Sequence, residues 1–235
     1  TIACRGKGEL QVRDVSLMAA GDRATGGFRA DVLERARALR PPVIRWPGGC
    51  FADGYRWESG VGPRGERAPA FDSAWGAWEP NDFGTDEFVA WCRLVGAEPY
   101  ICVNTGSADA AQAAAWVGYC NGAADGEFGC RRARNGHPEP HAVRYWGVGN
   151  ETYGGWEIGH VPAEEYARIF VEFAAAMRAV SSTVARSLVR PAMVSRFPAT
   201  ASLRADTSAL TCSGRTASSR GPSSLIRSPR CTAEE

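Results

Sequence analysis

The chain has 235 residues, 44% hydrophobic and 23% charged, with a formal net charge of +1. That is the composition of an ordinary globular protein, long enough for one domain and a sizeable core. The near-neutral charge gives no electrostatic case for nucleic acid, and no apolar run approaches the length of a membrane span, so neither partner is expected.

The charge is unevenly spread. Residues 181–235 carry eight arginines against Asp206, Glu234 and Glu235, whereas the preceding 180 residues are net acidic. The opening stretch, Thr1 to Leu10, lacks the apolar centre of a signal peptide, and the absence of an initiator Met is expected of a fragment. Eight cysteines include no pair two residues apart, so no zinc or redox motif emerges and no metal or cofactor is expected. Cys92, Cys102 and Cys120 sit in apolar runs and should be buried thiols, which points to a reducing, cytoplasmic compartment.

In chain order, Phe28, Val32, Leu33, Ala36 and Leu39 recur at helical spacing and predict a helix over 27–40, stopped by Pro41-Pro42. Val43-Ile44-Arg45-Trp46 reads as a strand ending at Pro47-Gly48-Gly49. A long loop is then expected from Cys50 to Gly84. It holds Trp57, Trp75 and Trp78, and a loop of that length in a domain is usually functional. Thr85 is the predicted cap of the next helix, with Asp86 and Glu87 in its first turn, where the helix dipole favours negative charge. Gly96 ends that helix, and a strand follows over 99–104. Ser107 is the predicted cap of an Ala-rich helix to Cys120. A Gly-rich, charged connection leads to a strand from Val143, which closes on Gly149-Asn150-Glu151. An aromatic loop with Tyr153 and Trp156 precedes a last helix, from Pro162 to about Val180.

Helix and strand alternate throughout, which implies an α/β fold with a parallel sheet, either a barrel or a doubly wound sheet. In such a sheet Pro47-Gly48-Gly49-Cys50, Asn104-Thr105-Gly106-Ser107 and Asn150-Glu151 gather at one end, where barrel enzymes keep their chemistry. Glu151 on its own is an ordinary solvated glutamate, and Cys50, Trp75 and Trp78 on their own are core packing. Residues 181–235 are rich in Ser, Arg, Ala, Thr and Pro, with Phe197 their one aromatic. They are expected to be disordered or poorly packed. One hypothesis for the abrupt change is an out-of-frame continuation from about residue 181, genuine or from sequencing.

Several motifs taken together resemble the α-L-arabinofuranosidases of glycoside hydrolase family 51. They are Arg45-Trp46-Pro47-Gly48-Gly49-Cys50-Phe51-Ala52-Asp53, Gly60-Val61-Gly62-Pro63-Arg64, Glu79-Pro80-Asn81-Asp82-Phe83-Gly84-Thr85 and Tyr145-Trp146-Gly147-Val148-Gly149-Asn150-Glu151. The similarity runs in order over residues 14–180, which we take as a partial glycosidase domain, about the first half of a (β/α)8 TIM barrel. Residues 181–235 form a separate low-complexity tail. The resemblance implies a retaining enzyme that releases terminal α-L-arabinofuranosyl units from arabinan- or arabinoxylan-type oligosaccharides and polysaccharides. It implies Glu151 as general acid/base and Asn150, Cys50 and Trp75 as substrate-binding residues. It also implies homo-oligomers among full-length members. The family's nucleophile, a second glutamate, falls past residue 180. Asp206, Glu234 and Glu235 do not match its context, so no nucleophile is assigned and little or no turnover is expected of this chain.

Two other functions were weighed. Gly147-Val148-Gly149 after a strand suggests dinucleotide binding, but Thr152 stands where the third glycine belongs and a loop follows. A non-catalytic arabino-oligosaccharide-binding remnant that keeps Trp75, Trp57 and Asn150 is the alternative outside catalysis. His137 and His141 are four apart, a metal-binding spacing only on a helix, which Pro138 and Pro140 forbid.

Overall fold

In the computed structural model, residues 5–9 and 18–181 are described. The first helix, α1 (Ala30–Leu39), starts later than the periodicity predicts. Gly26 and Gly27 take φ of 74° and 93°, a left-handed backbone that cannot continue into a helix. Of its apolar stripe only Leu33 is buried. β1 (Val43–Trp46) follows as expected.

The stretch predicted as one long loop is largely structured. It contains a short helix, α2 (Phe51–Gly54), and an antiparallel hairpin of β2 (Ala70–Asp72) and β3 (Ala77–Glu79). These strands are too short to show an alternating pattern. The hairpin rests instead on the Phe71–Trp78 cross-strand pair, with ring centroids 5.6 Å apart, and on Arg67 at its base. The Arg67 guanidinium donates to the carbonyls of Gly62 and Asn81 and to both Glu87 carboxylate oxygens.

α3 (Thr85–Val95) begins one residue earlier in its capping than predicted. Gly84 is the cap residue, and its N–H donates to Glu87 Oε2 at 2.9 Å. Thr85 is already helical, and its buried hydroxyl accepts from Trp116 Nε1. β4 (Glu98–Val103) leads to α4 (Ala110–Asn121), capped by Asp109 rather than Ser107: Asp109 Oδ1 accepts from the Gln112 N–H. The connection expected to be irregular contains a further helix, α5 (Gly129–Arg134). β5 (Tyr145–Val148) and α6 (Ala163–Val180) complete the described residues. The tail predicted over 181–235 lies outside them from residue 182 onward.

The main sheet has the order β1-β4-β5, all parallel, in the register Trp46↔Ile101 and Val103↔Val148. β4 is central, and β1 and β5 each pair on one side only among the described residues. Right-handed crossovers through helices are what parallel neighbours require. Between sheet and helices lies a core rich in aromatics. Trp57 and Trp116 stack at 6.2 Å and 11°, with Phe88, Ile101, Val103, Tyr119 and Trp146 around them. Cys92, Cys102 and Cys120 are buried thiols, as expected. Among the described residues no helix is long and apolar enough to cross a membrane.

Candidate active site

The three loops that leave the C-terminal ends of β1, β4 and β5 are bound to one another by polar side chains. After β1, the chain turns into α2 and places Asp53 beneath the β4 loop. Asp53 Oδ1 accepts from the Thr105 N–H and hydroxyl at 3.3 Å each, and its carbonyl accepts from Ser107 N and Oγ at 3.1 Å. Asn104, at the end of β4, folds its own loop. Its Oδ1 accepts from the N–H groups of Gly106 and Ser107, and its Nδ2 donates to Tyr55 O and Ser107 Oγ. After β5, the Gly149 N–H donates to Val103 O, and Gly149 O accepts from the Cys102 thiol.

Arg45 spans the sheet end from the β1 side. Its Nη2 lies 2.8 Å from Asn150 Oδ1 and 3.1 Å from Cys102 Sγ. Asn150 is buried, and its Nδ2 donates to Glu157 Oε1 at 3.0 Å. The amide is therefore held at both ends, with one Nδ2 hydrogen left over.

Glu151 follows on a left-handed backbone, φ 44°, which costs a non-glycine residue roughly 1 kcal/mol or more. A turn fixes that conformation: the Gly154 N–H donates to Glu151 O at 2.7 Å. The side chain is exposed, and Oε1 accepts from the Tyr153 hydroxyl at 3.4 Å. Beside it an open pocket of about 330 Å³ lies between the end of β5 and the start of α6, bounded by Val148, Gly149, Tyr153, Val161 and Tyr166.

Cys50 is half-buried at the start of α2. Trp75, in the β2–β3 turn, is 57% exposed, and its ring edge lies 4.0 Å from where a Cβ on Gly49 would stand. The hairpin thus lays Trp75 over the segment preceding Cys50. Asn150 and Glu151 are consecutive on the neighbouring loop, so all four residues expected at the site belong to the one end of the sheet.

Arg45, Asp53, Cys102 and Glu157 join this end of the sheet although none of them was expected as a site residue. A charged Arg45 between Ile44 and Trp46 in a strand was the one visible signal. Burial pushes the Asp53 carboxyl up, opposed by the Thr105 N–H and assisted by the charge of Glu157. Burial likewise pushes up the Cys102 thiol, against the pull of Arg45.

His137 and His141 stand apart from this end, on a segment that carries no helix. His141 Nε2 lies 2.8 Å from Asp86 Oδ1, and the Tyr119 hydroxyl donates to Asp86 Oδ2 at 2.8 Å. The segment after Val148 runs as a loop until α6, so β5 lacks the immediate strand-to-helix turn that dinucleotide binding requires.

The Alpha-L-arabinofuranosidase 1 domain family matches residues 35–199. Alpha-L-arabinofuranosidase C of Emericella nidulans is 45% identical over 158 residues, covering 67% of this chain and 31% of its own length. An intracellular exo-alpha-(1->5)-L-arabinofuranosidase of Acetivibrio thermocellus is 40% identical over 158 residues, with the same coverage. The chain thus spans about a third of the length of the curated relatives it matches. Among solved structures, the arabinose complex of an α-L-arabinofuranosidase from Thermotoga maritima superposes with a TM-score of 0.65 at 47% identity, over 67% of this chain and 33% of that one. A family 51 enzyme from Bifidobacterium longum gives 0.65 at 38% identity, over 67% and 31%. The chain belongs to the α-L-arabinofuranosidases of glycoside hydrolase family 51.

Proposed function

We propose that residues 14–180 form a sector of a retaining α-L-arabinofuranosidase barrel, acting on terminal non-reducing α-L-arabinofuranosyl units of arabinan- or arabinoxylan-type glycans. The observation that carries this reading is the position of Asn150-Glu151 at the C-terminal end of β5, tied by Arg45 to the end of β1. Glu151 is the general acid/base: it protonates the glycosidic oxygen as the bond to the anomeric carbon breaks, and later takes a proton from water. Its exposed carboxyl and the adjoining pocket leave room for a sugar. Asn150 turns its remaining N–H hydrogen toward the substrate. Trp75 offers a flat apolar face and Cys50 bounds the ring.

Retaining chemistry needs a second carboxylate about 5 Å from the first to attack the anomeric carbon. No residue of this chain is assigned that role, so the 235-residue polypeptide alone is expected to turn over little or nothing. A cytoplasmic setting is supported by Cys92, Cys102, Cys120 and Cys130, all thiols rather than disulfides. Exposed Trp75 and the site residue Asn150 favour a second reading, a non-catalytic arabino-oligosaccharide-binding remnant, but Trp57, expected to contribute to it, is buried against Trp116 in the core.

Titration of the purified chain with arabinotriose, alongside an assay on an aryl α-L-arabinofuranoside, separates these. Residual hydrolysis that falls about 100-fold or more in Glu151→Gln supports the catalytic reading. Binding without any hydrolysis supports the remnant. Turnover at ordinary enzyme levels would refute the expectation of a crippled site, and absence of both binding and hydrolysis would refute both readings.

A further inference from the structure

Glu157 lies seven residues beyond Asn150 on the loop from β5 to α6, yet its Oε1 accepts from Asn150 Nδ2 at 3.0 Å. Three consecutive turns bring it back. The Gly154 N–H donates to Glu151 O, the Glu157 N–H to Gly154 O and the His160 N–H to Glu157 O, at 2.7, 3.1 and 3.0 Å. The far end of the loop closes on its start, where the Val161 N–H donates to Thr152 O at 2.9 Å. Beyond Glu157 the loop is seated on the one that follows β4. A Cβ on Gly106 would stand 2.5 Å from Ile158 Cγ1, and one on Gly159 would stand 3.3 Å from Gly106 N. Glu157 is thus placed by contacts on both sides of it.

The Asn150 amide has two ends that its neighbours tell apart. Arg45 Nη2 lies 2.8 Å from Oδ1, and Glu157 Oε1 lies 3.0 Å from Nδ2. A guanidinium offers donors alone and a carboxylate offers acceptors alone. The reverse placement would set donor against donor and acceptor against acceptor. Arg45 reaches the amide from β1 and shares its nitrogen with Cys102, whereas Glu157 belongs to the loop that carries Glu151. Glu157 is 4% exposed, and its second oxygen, Oε2, is buried without a hydrogen-bond partner. A carboxyl kept out of water with one oxygen engaged calls for a role at the group it engages.

We propose that Glu157 is a positioning residue of this site. It holds Asn150 with Nδ2 turned from Arg45 and leaves one N–H hydrogen for a sugar hydroxyl. The same contact staples the turns after Glu151 to the end of β5, so the glutamate and the amide beside it are held as one piece. The recognition of a sugar rests on the function proposed above, whereas the contact itself does not.

A suppressor experiment on the whole chain reads the contact through urea unfolding at neutral pH. Asn150→Asp sets a carboxylate oxygen against Glu157 Oε1 and should raise the unfolding constant about tenfold or more. Glu157→Gln alone keeps an acceptor for Nδ2, with its NH2 group in the place of the unpartnered Oε2, and should stay within about threefold of wild type. Added to Asn150→Asp, the same Glu157→Gln can turn its NH2 group to the new carboxylate and should recover about tenfold. Equal unfolding of Asn150→Asp with and without Glu157→Gln would mean that Nδ2 does not face Glu157, and would overturn the proposal.

Should Asn150→Asp fail to fold, the chain labelled with 15N-asparagine provides the second readout. The side-chain NH2 of Asn150 should exchange with solvent about tenfold or more slowly than that of a solvated asparagine. Glu157→Leu should remove this protection and Glu157→Gln should keep it. Protection unchanged in Glu157→Leu would equally overturn the proposal.

Titration with arabinotriose then separates the contact from the functional reading. Affinity about tenfold weaker in Glu157→Leu and restored in Glu157→Gln supports positioning. Glu157→Leu binding as tightly as wild type would overturn it. If the wild-type chain binds no arabinotriose while the suppression holds, the functional reading fails and the hold on Asn150 stands.

Discussion

Arg45 Nη2 donates to Asn150 Oδ1 at 2.8 Å, joining positions 105 residues apart across the end of the central strand β4. Because the same nitrogen also reaches Cys102 Sγ, one guanidinium ties all three strands of the sheet together.

Replacing Arg45 with Met should therefore weaken the fold locally as well as the site. A charge-assisted bond of this kind contributes about 1.5–3 kcal/mol, and the Asn150 oxygen would be left buried without a donor. Urea unfolding measures the loss. Arg45→Lys should recover only part of it, because a single ammonium cannot reproduce the directions of a planar guanidinium. A lysine variant as stable as wild type would show that the geometry of the fork does not matter here.

A pH-dependent component of stability should come from the His141–Asp86 contact. Burial holds His141 below its ordinary pKa, and the charges of His137 and Arg93 push the same way, against the pull of Asp86. The unfolded chain then binds a proton on this histidine more readily than the folded one. Its contribution to stability is complete above about pH 6.5 and is lost progressively as the pH falls below that. Burial alone would raise Asp86, but the hydrogen bonds from His141 and Tyr119 outweigh it and leave the carboxyl lowered. That contribution disappears only at more acid pH, as Asp86 protonates through its lowered value. His141→Gln can still donate to Asp86 yet cannot titrate. Thermal melts of the two proteins between about pH 5 and 7 should show a flatter slope for the variant.

The hairpin that carries Trp75 depends on Arg67. Its side chain is 3% exposed and binds Glu87, which is 11% exposed. Arg67→Ala would leave that carboxylate with Arg64 and the Gly84 N–H, at a cost of about 1.5–3 kcal/mol for the lost charge-assisted bonds. Limited proteolysis should show new cleavage within residues 68–80, and unfolding should shift to lower urea. An unchanged cleavage pattern would indicate that the hairpin is held by something other than its base.

Two glycines should respond differently to alanine. At Gly84 an added Cβ would stand 1.8 Å from the Gly60 carbonyl oxygen, a backbone atom that cannot swing aside. Gly84→Ala is expected to cost about 3 kcal/mol, at the upper end for overpacking. Gly76 has open space around it but φ of 64°, so Gly76→Ala should cost about 1 kcal/mol through backbone strain alone. Reversal of that order in chemical denaturation would contradict the close Gly60–Gly84 approach.

Local chemistry made much of the scaffold readable in advance. Pro41-Pro42 and Gly96 mark helix ends, and branched and aromatic residues mark β1 and β5. The β2–β3 hairpin was hidden because three-residue strands have no period to detect, and α5 because its six residues carry no apolar stripe. Of the site, Asn150 and Glu151 end a strand, but the family resemblance singled them out, since a glutamate in that place is ordinarily solvated. Glu157 could not be singled out, since burial and register bring it to Asn150 and no spacing along the chain encodes that meeting.

That β1 and β5 each pair on one side only among the described residues makes protein concentration a hidden variable in each of these measurements. Unmatched amides along an outer strand will accept an extended segment from any neighbouring molecule, so melts and titrations should be compared at matched, low micromolar dilution. A midpoint that climbs with dose would reveal strands lent between molecules.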